Sequence, residues 1–305
     1  MGHRVCGGII VPLLTPLNAD ETVNYAQLEA LIEHVIEGGV NAVFVMGSTG
    51  EFARFDETTR ANIIKESVKI VSGRIPVYAG VSDTGLSSVL RNVGHAERAG
   101  VDAVVVTLPY YFPIYNDNEA YSFFSTVAAS TKLSVVLYEI PTNCGASISF
   151  DVIDRLFDID NIASIKDSSG SFERLQKIIE RYKNKGKDFS ITVGDESLCY
   201  AGFMAGADGI VPSLANPFPK LLADAYSAAA SSDWTRLRGV CDIIDSMNAL
   251  NKYNNTWMMP NTWRKKALSH MGICNEYMTK PTVPVDGVLD AKILGMIRLY
   301  QGMYS

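Results

Sequence analysis

The sequence predicts a (β/α)8 TIM barrel with a C-terminal helical extension. Two observations carry that expectation: short apolar, β-rich runs recur eight times, and helical spacing fills the stretches between them. The runs fall at 8–14, 42–46, 76–80, 103–107, 134–138, 163–166, 190–193 and 209–211. After the first, Leu28, Leu31, Ile32, Val35 and Ile36 hold one helical face up to Gly38-Gly39, where glycine supplies a stop. Strict alternation of strand and helix implies parallel pairing through right-handed crossovers, and eight such units suffice to close a barrel. A doubly wound open sheet is the alternative, but its Gly-x-Gly-x-x-Gly signature is missing after the first run.

Beyond about residue 215 the strand signals stop, and helical patterns at 220–231, 234–250, 262–271 and 289–302 exceed what one barrel helix needs. The chain therefore divides into a catalytic barrel, 1–230, and a helical extension, 231–305, packed on it without a Gly-, Pro- or Ser-rich linker. The stripe Trp234, Leu237, Val240, Cys241 and Ile244 reads as core packing, and the charged residues of 151–187 as solvated helix faces.

Apolar residues make up 47% of the chain, enough for a large core. A net charge of -6 argues against nucleic acid or an anionic membrane, which call for clustered Lys and Arg, so a small polar ligand is expected. Five cysteines, at 6, 144, 199, 241 and 274, are odd in number and scattered, as in a cytoplasmic protein with reduced thiols. No apolar run reaches the length of a membrane span, and the opening residues break too early for a signal peptide.

Residues just past the carboxyl ends of barrel strands converge on one mouth. Here they are Thr15, Gly47-Ser48-Thr49-Gly50-Glu51, Tyr110, Tyr111, Tyr138, Lys166, Asp195, Glu196 and Ser213. The histidines, His3, His34, His95 and His270, fall elsewhere, so no metal is expected.

Lys166 is the most informative of these residues. An amine at the mouth of a buried strand loses hydration, which favours the neutral form that attacks a ketone; a lysine that simply reaches water is the plain alternative. Gly47 to Glu51 places permissive glycines and two hydroxyls where a helix would start, a setting that attracts a carboxylate but is also ordinary turn punctuation. Tyr138 is either a barrel aromatic or a proton shuttle beside Lys166. Asp195 and Glu196 either cap a helix or accept hydrogen bonds from sugar-like hydroxyls.

Together Gly47-Ser48-Thr49-Gly50-Glu51, Pro109-Tyr110-Tyr111, Tyr138-Glu139-Ile140-Pro141 and Ser164-Ile165-Lys166-Asp167 resemble the dihydrodipicolinate synthase / N-acetylneuraminate lyase superfamily over essentially the whole chain. The resemblance implies a class I aldolase in which Lys166 forms an imine with pyruvate and no separate cofactor is needed. It makes Tyr138 the proton shuttle and Ser48 and Thr49 the carboxylate binders and proton relay. Gly47, Gly50 and Glu51 would shape that loop, and Tyr111 would reach into a neighbouring subunit of a homotetramer.

Departures from the family pattern bear on the substrate. Where the synthases carry an arginine for the acceptor's carboxylate, this chain has Asn143, within Thr142-Asn143-Cys144-Gly145. Losing such a charge-assisted contact costs about 1.5 to 3 kcal/mol. With Ser48-Thr49, Asp195, Glu196 and Ser213, this favours the lyase branch: retro-aldol cleavage of a 2-keto-3-deoxy sugar acid or a sialic-acid-like compound to pyruvate and an aldehyde. Dihydrodipicolinate synthesis from pyruvate and aspartate semialdehyde is the alternative, with a sugar-acid dehydratase as a variant on the same imine. Glu139 stands where asparagine is common, and Leu108 is an extra residue before Pro109.

Overall fold

A computed structural model describes residues 7–256 and 258–304, so His3, Cys6 and the opening segment lie outside the described residues. Eight parallel strands close on themselves in sequence order: β1 (Gly8–Pro12), β2 (Ala42–Val45), β3 (Val77–Gly80), β4 (Ala103–Thr107), β5 (Ser134–Glu139), β6 (Ile162–Asp167), β7 (Ser190–Val193) and β8 (Gly209–Ile210). The expected TIM barrel is therefore the observed one, and each strand lies within three residues of its predicted run. All but Ala163 among the strand residues are buried, because crossover helices cover the outside while side chains fill the inside.

The helices outside the sheet are α1 (Tyr25–Glu37), α2 (Glu57–Val71), α3 (Leu86–Ala99), α4 (Asp117–Ala129), the single turn α5 (Pro141–Cys144), α6 (Phe150–Phe157), α7 (Phe172–Tyr182), α8 (Cys199–Ala205) and α9 (Pro219–Ala230). Local chemistry starts most of them: Asn24, Asp56, Asn116, Ser149 and Ser171 each accept a hydrogen bond from a first-turn N–H. Beyond the barrel come α10 (Trp234–Asn248), a 3-10 segment (Ala249–Asn255), α11 (Met259–His270) and α12 (Gly287–Tyr304). In α10 the stripe Leu237, Val240, Cys241 and Ile244 is buried as expected, whereas Trp234 at the helix start is exposed.

Charged residues in 151–187 depart from the expected solvated face at Arg174. It lies 3.4 Å from buried Glu139 and donates to the Ile148 carbonyl at 2.6 Å, because α7 lays this side chain over the β5 and β6 ends. Sequence separation likewise hid a cysteine contact. Cys199 on α8 and Cys241 on α10 share a side-chain hydrogen bond, and all four described cysteines are free and buried. No described helix is long and apolar enough to cross a membrane.

The two-residue β8 pairs with β1, as with β7, through only two register positions, and Asn216 reinforces the β1 seam. Its buried amide accepts from Leu14 N at 3.0 Å and donates to the carbonyls of Pro12 and Ser213, each at 2.9 Å. Asn216→Ala leaves these buried backbone groups unpaired and should lower stability by about 2 to 4 kcal/mol. A denaturant midpoint unchanged from the parent would show that water replaces the amide at this seam.

Candidate active site

Register brings the central pair together. Tyr138 on β5 is the pairing partner of Lys166 on β6, so both side chains point into the barrel at the same height. The Lys166 ammonium nitrogen lies 3.6 Å from the centre of the Tyr138 ring and donates to Ser168 Oγ at 2.7 Å. Both are buried, Lys166 with 5% and Tyr138 with 6% of its surface exposed, and Phe44 meets the Tyr138 ring edge-on. Burial by itself pushes the Tyr138 phenol up. The Lys166 charge and hydrogen bonds from Lys166, Ser48 and Ser168 outweigh burial, and the phenol titrates below its ordinary value.

A close backbone approach keeps this amine accessible. A methyl group on Gly194 would come within 1.9 Å of Ser168 Oγ and 2.7 Å of Lys166 Nζ, so only glycine leaves both groups where they stand. Below them Ile10, Phe44, Tyr78, Val105, Val136 and Val211 fill the barrel. Above opens a cavity of about 490 Å³, of a size suited to small polar ligands, onto which Lys166, Tyr138, Ser48, Thr49, Ser168 and Gly194 all open.

The loop after β2 differs from the expectation in one respect. Gly47 to Glu51 does not open an α-helix: it leads into a 3-10 turn, Phe52–Arg54, and α2 begins later behind its own cap, Asp56. Met46 and Glu51 both take left-handed backbone angles, with φ of 57° and 60°, which breaks helical continuation. The helix dipole therefore plays no part here. Among the described residues, however, no protein group takes the backbone N–H of Ser48 or Thr49, and both side chains line the cavity. Gly47 and Gly50 are buried behind them, and Thr15 holds the turn by donating to Gly50 O at 2.8 Å.

The remaining sequence candidates divide. Asp195, Glu196 and Ser213 line the cavity. Asp195 Oδ1 caps the following turn at Ser197 N, 3.0 Å away. Both Glu196 oxygens are taken: one accepts from Ser213 Oγ at 3.0 Å and Leu214 N at 2.7 Å, the other from Arg264 at 2.7 Å. Neither Asn143 nor Tyr111 is in the cavity wall. Asn143 lies exposed on α5, whose neighbour Thr142 does face the cavity. Tyr111 is 81% exposed, with φ of 82°, and stacks edge-on with Phe112.

Sequence reasoning missed the contribution of the C-terminal segment. Asn248, Asn251, Lys252 and Pro260 form one wall of the cavity. Two successive buried cations on α11 then grip two mouth loops. Arg264 pairs with Glu196, while Lys265 donates to Glu51 at 2.8 Å and to the Tyr277 carbonyl at 2.7 Å. Thr279 completes the second clamp through its N–H and hydroxyl, both donating to Glu51. Asn261 adds a bond to the Thr49 carbonyl at 3.2 Å. The hint in the sequence was the run Arg264-Lys265-Lys266 inside a helical stretch, which names no partner.

Comparison with known proteins identifies the family and the fold. The model of the dihydrodipicolinate synthetase family matches residues 5–293. A 4-hydroxy-tetrahydrodipicolinate synthase from Neisseria meningitidis is 30% identical over 292 residues, covering 95% of this chain and 97% of that protein. Among solved structures, dihydrodipicolinate synthase from Aquifex aeolicus superposes with a TM-score of 0.88 at 28% identity, covering 97% of this chain and 98% of that one. A prophage protein of the same family from E. coli K12, solved in complex with pyruvate, gives 0.91 at 26% identity, covering 98% and 99%. A barrel of this kind with this relationship is a carbon–carbon lyase of the class I aldolase type. The chain belongs to the dihydrodipicolinate synthetase family.

The clamp yields a stability expectation. Arg264→Met leaves Glu196 buried without its cation and should cost about 3 to 5 kcal/mol, whereas adding Glu196→Gln should recover much of that loss. Equal denaturant midpoints for the single and double variants would mean that the ion pair does not hold the loop.

Proposed function

We propose that this chain joins pyruvate to an aldehyde, or cleaves the corresponding product, through an imine on Lys166. The observation that carries the reading is the buried amine against the Tyr138 phenol at the floor of a polar cavity. Lys166 attacks the keto carbon, and water leaves to give a protonated imine that can accept an electron pair. Breaking the C3–C4 bond sends its electrons into this sink, giving an enamine and an aldehyde; protonation at C3 and hydrolysis then release pyruvate. Tyr138, lowered by the adjacent charge, moves protons between the reacting hydroxyl and nitrogen. Ser48 and Thr49, whose backbone N–H groups no protein group takes among the described residues, hold the pyruvate carboxylate, and Gly47 and Gly50 shape that turn. No other cofactor takes part. In this reading Tyr111 completes a neighbouring subunit's site in a homotetramer.

Two acceptors compete. The names of the curated relatives support condensation with aspartate semialdehyde, as in 4-hydroxy-tetrahydrodipicolinate synthesis, better than they support a sugar acid. Asn143 is the observation that favours the second reading, a hydroxylated aldehyde from a 2-keto-3-deoxy sugar acid or sialic-acid-like compound, because it is uncharged and outside the cavity wall. With both Glu196 oxygens engaged, Asp195, Ser197 and Thr142 are among the polar groups lining the cavity for such a tail.

Borohydride added with pyruvate should leave a stable mass increase on Lys166 and none in Lys166→Arg. Absence of labelling in the parent enzyme would sink every imine mechanism. A panel of aldehydes assayed with pyruvate separates the acceptors: turnover of aspartate semialdehyde alone supports the synthase, and turnover of hydroxylated aldehydes alone supports the sugar-acid reading.

A further inference from the structure

The turn that carries Ser48 and Thr49 has every carbonyl occupied. Gly47 O accepts from Gly50 N at 3.0 Å, Ser48 O from Glu51 N at 3.1 Å, Gly50 O from Thr15 Oγ1 at 2.8 Å, and Thr49 O from Asn261 Nδ2 at 3.2 Å. The Ser48 N–H shares a rigid peptide plane with Gly47 O, and the Thr49 N–H shares one with Ser48 O, so each of these carbonyl bonds also aims an amide. Asn261 is the one partner drawn from the C-terminal segment: it is buried on α11, next to the cavity-lining Pro260.

The peptide that Asn261 holds is also the one built to turn over. Ser48 to Glu51 make a four-residue turn with Gly50 in third place. Flipping the central Thr49–Gly50 peptide interconverts the two common turn forms while the Glu51 to Ser48 bond survives, and glycine in third place favours the form with positive φ. Gly50 nonetheless stays out of the positive-φ region. A flip would carry the Thr49 oxygen away from α11 and lift the Gly50 N–H off Gly47 O. The Gly47–Ser48 peptide, and with it the Ser48 amide, would then keep only the long 3.5 Å contact from Phe52 N.

We infer that Asn261 is a positioning residue for the keto acid: by fixing the Thr49–Gly50 peptide it keeps the Ser48 and Thr49 amides aimed at the substrate carboxylate. This deepens the imine reading and rests on it, since that turn is where the acid end of pyruvate is held. Asn261 does not line the cavity, so it acts through the turn and touches neither substrate nor the reacting amine. Its effect therefore falls on capture of the acid end, with no part in the bond-making step at Lys166.

Borohydride trapping on Lys166 reads ketone capture without an aldehyde present. In Asn261→Leu, which keeps the side-chain volume but drops the donor, half-maximal labelling should need about 10-fold more pyruvate. Labelling by hydroxyacetone, a ketone with no carboxylate, should stay within about 2-fold of the parent, which also shows that the site has folded. Asn261→Gln, which retains an amide donor, should bring the pyruvate requirement back to within about 3-fold of the parent. An unchanged pyruvate requirement in Asn261→Leu overturns the inference, as does a Gln variant no better than the Leu variant. Equal losses for the two ketones overturn it too, since they would mark a residue that only supports the fold. Failure of pyruvate to label the parent would instead bring down the imine reading, and a parent that captures both ketones equally well would bring down the carboxylate role of Ser48 and Thr49.

Discussion

The stacking of one buried ammonium on one phenol organises this molecule's chemistry. Lys166 and Tyr138 are register partners on adjacent strands, so their separation of 3.6 Å is set by the sheet, with no loop to drift. An amine in the barrel interior needs polar company, and Ser168 and the Tyr138 ring provide it without a carboxylate that would lock it in an ion pair. The same proximity draws the phenol's proton affinity down. One contact thus holds the nucleophile ready and tunes the group that would move protons for it.

Around that pair the backbone comes unusually close. A methyl group at Gly194 would collide with Ser168 and Lys166, and one at Gly80 would lie 1.9 Å from the Met46 carbonyl, behind the turn that carries Ser48 and Thr49. These glycines let neighbouring strand ends crowd the mouth, which brings the two hydroxyls and the amine onto one small cavity.

The helices beyond the barrel are more than packing. Arg264 and Lys265, adjacent and fully buried, point to different loops and pair with Glu196 and Glu51. Desolvation weakens both cations' hold on their protons, and the facing carboxylates oppose it. Such pairs add little net stability over apolar substitutes, but their geometry demands keep the β2 and β7 loops at fixed distances from α11. With Asn261 on Thr49, and Asn248 and Lys252 in the cavity wall, the extension is part of the site.

Local pattern determined a great deal by itself. Alternating apolar runs and helical stripes were enough for the closed eight-stranded barrel and its trailing helices, because strand and helix periods depend only on neighbours in the chain. Lys166, Tyr138, Ser48, Thr49, Asp195, Glu196 and Ser213 were legible because a parallel barrel sends every strand's carboxyl end to one face, and all of them line the cavity. What only the tertiary structure decided depends on distance in space between residues far apart in the chain. The pairing of Glu51 with Lys265 and of Glu196 with Arg264, the left-handed turn in place of a helix start, and the wall built by Asn248 and Lys252 leave no periodic trace. Periodicity records which way a side chain faces; its partner is chosen by how the helices come to rest on the barrel.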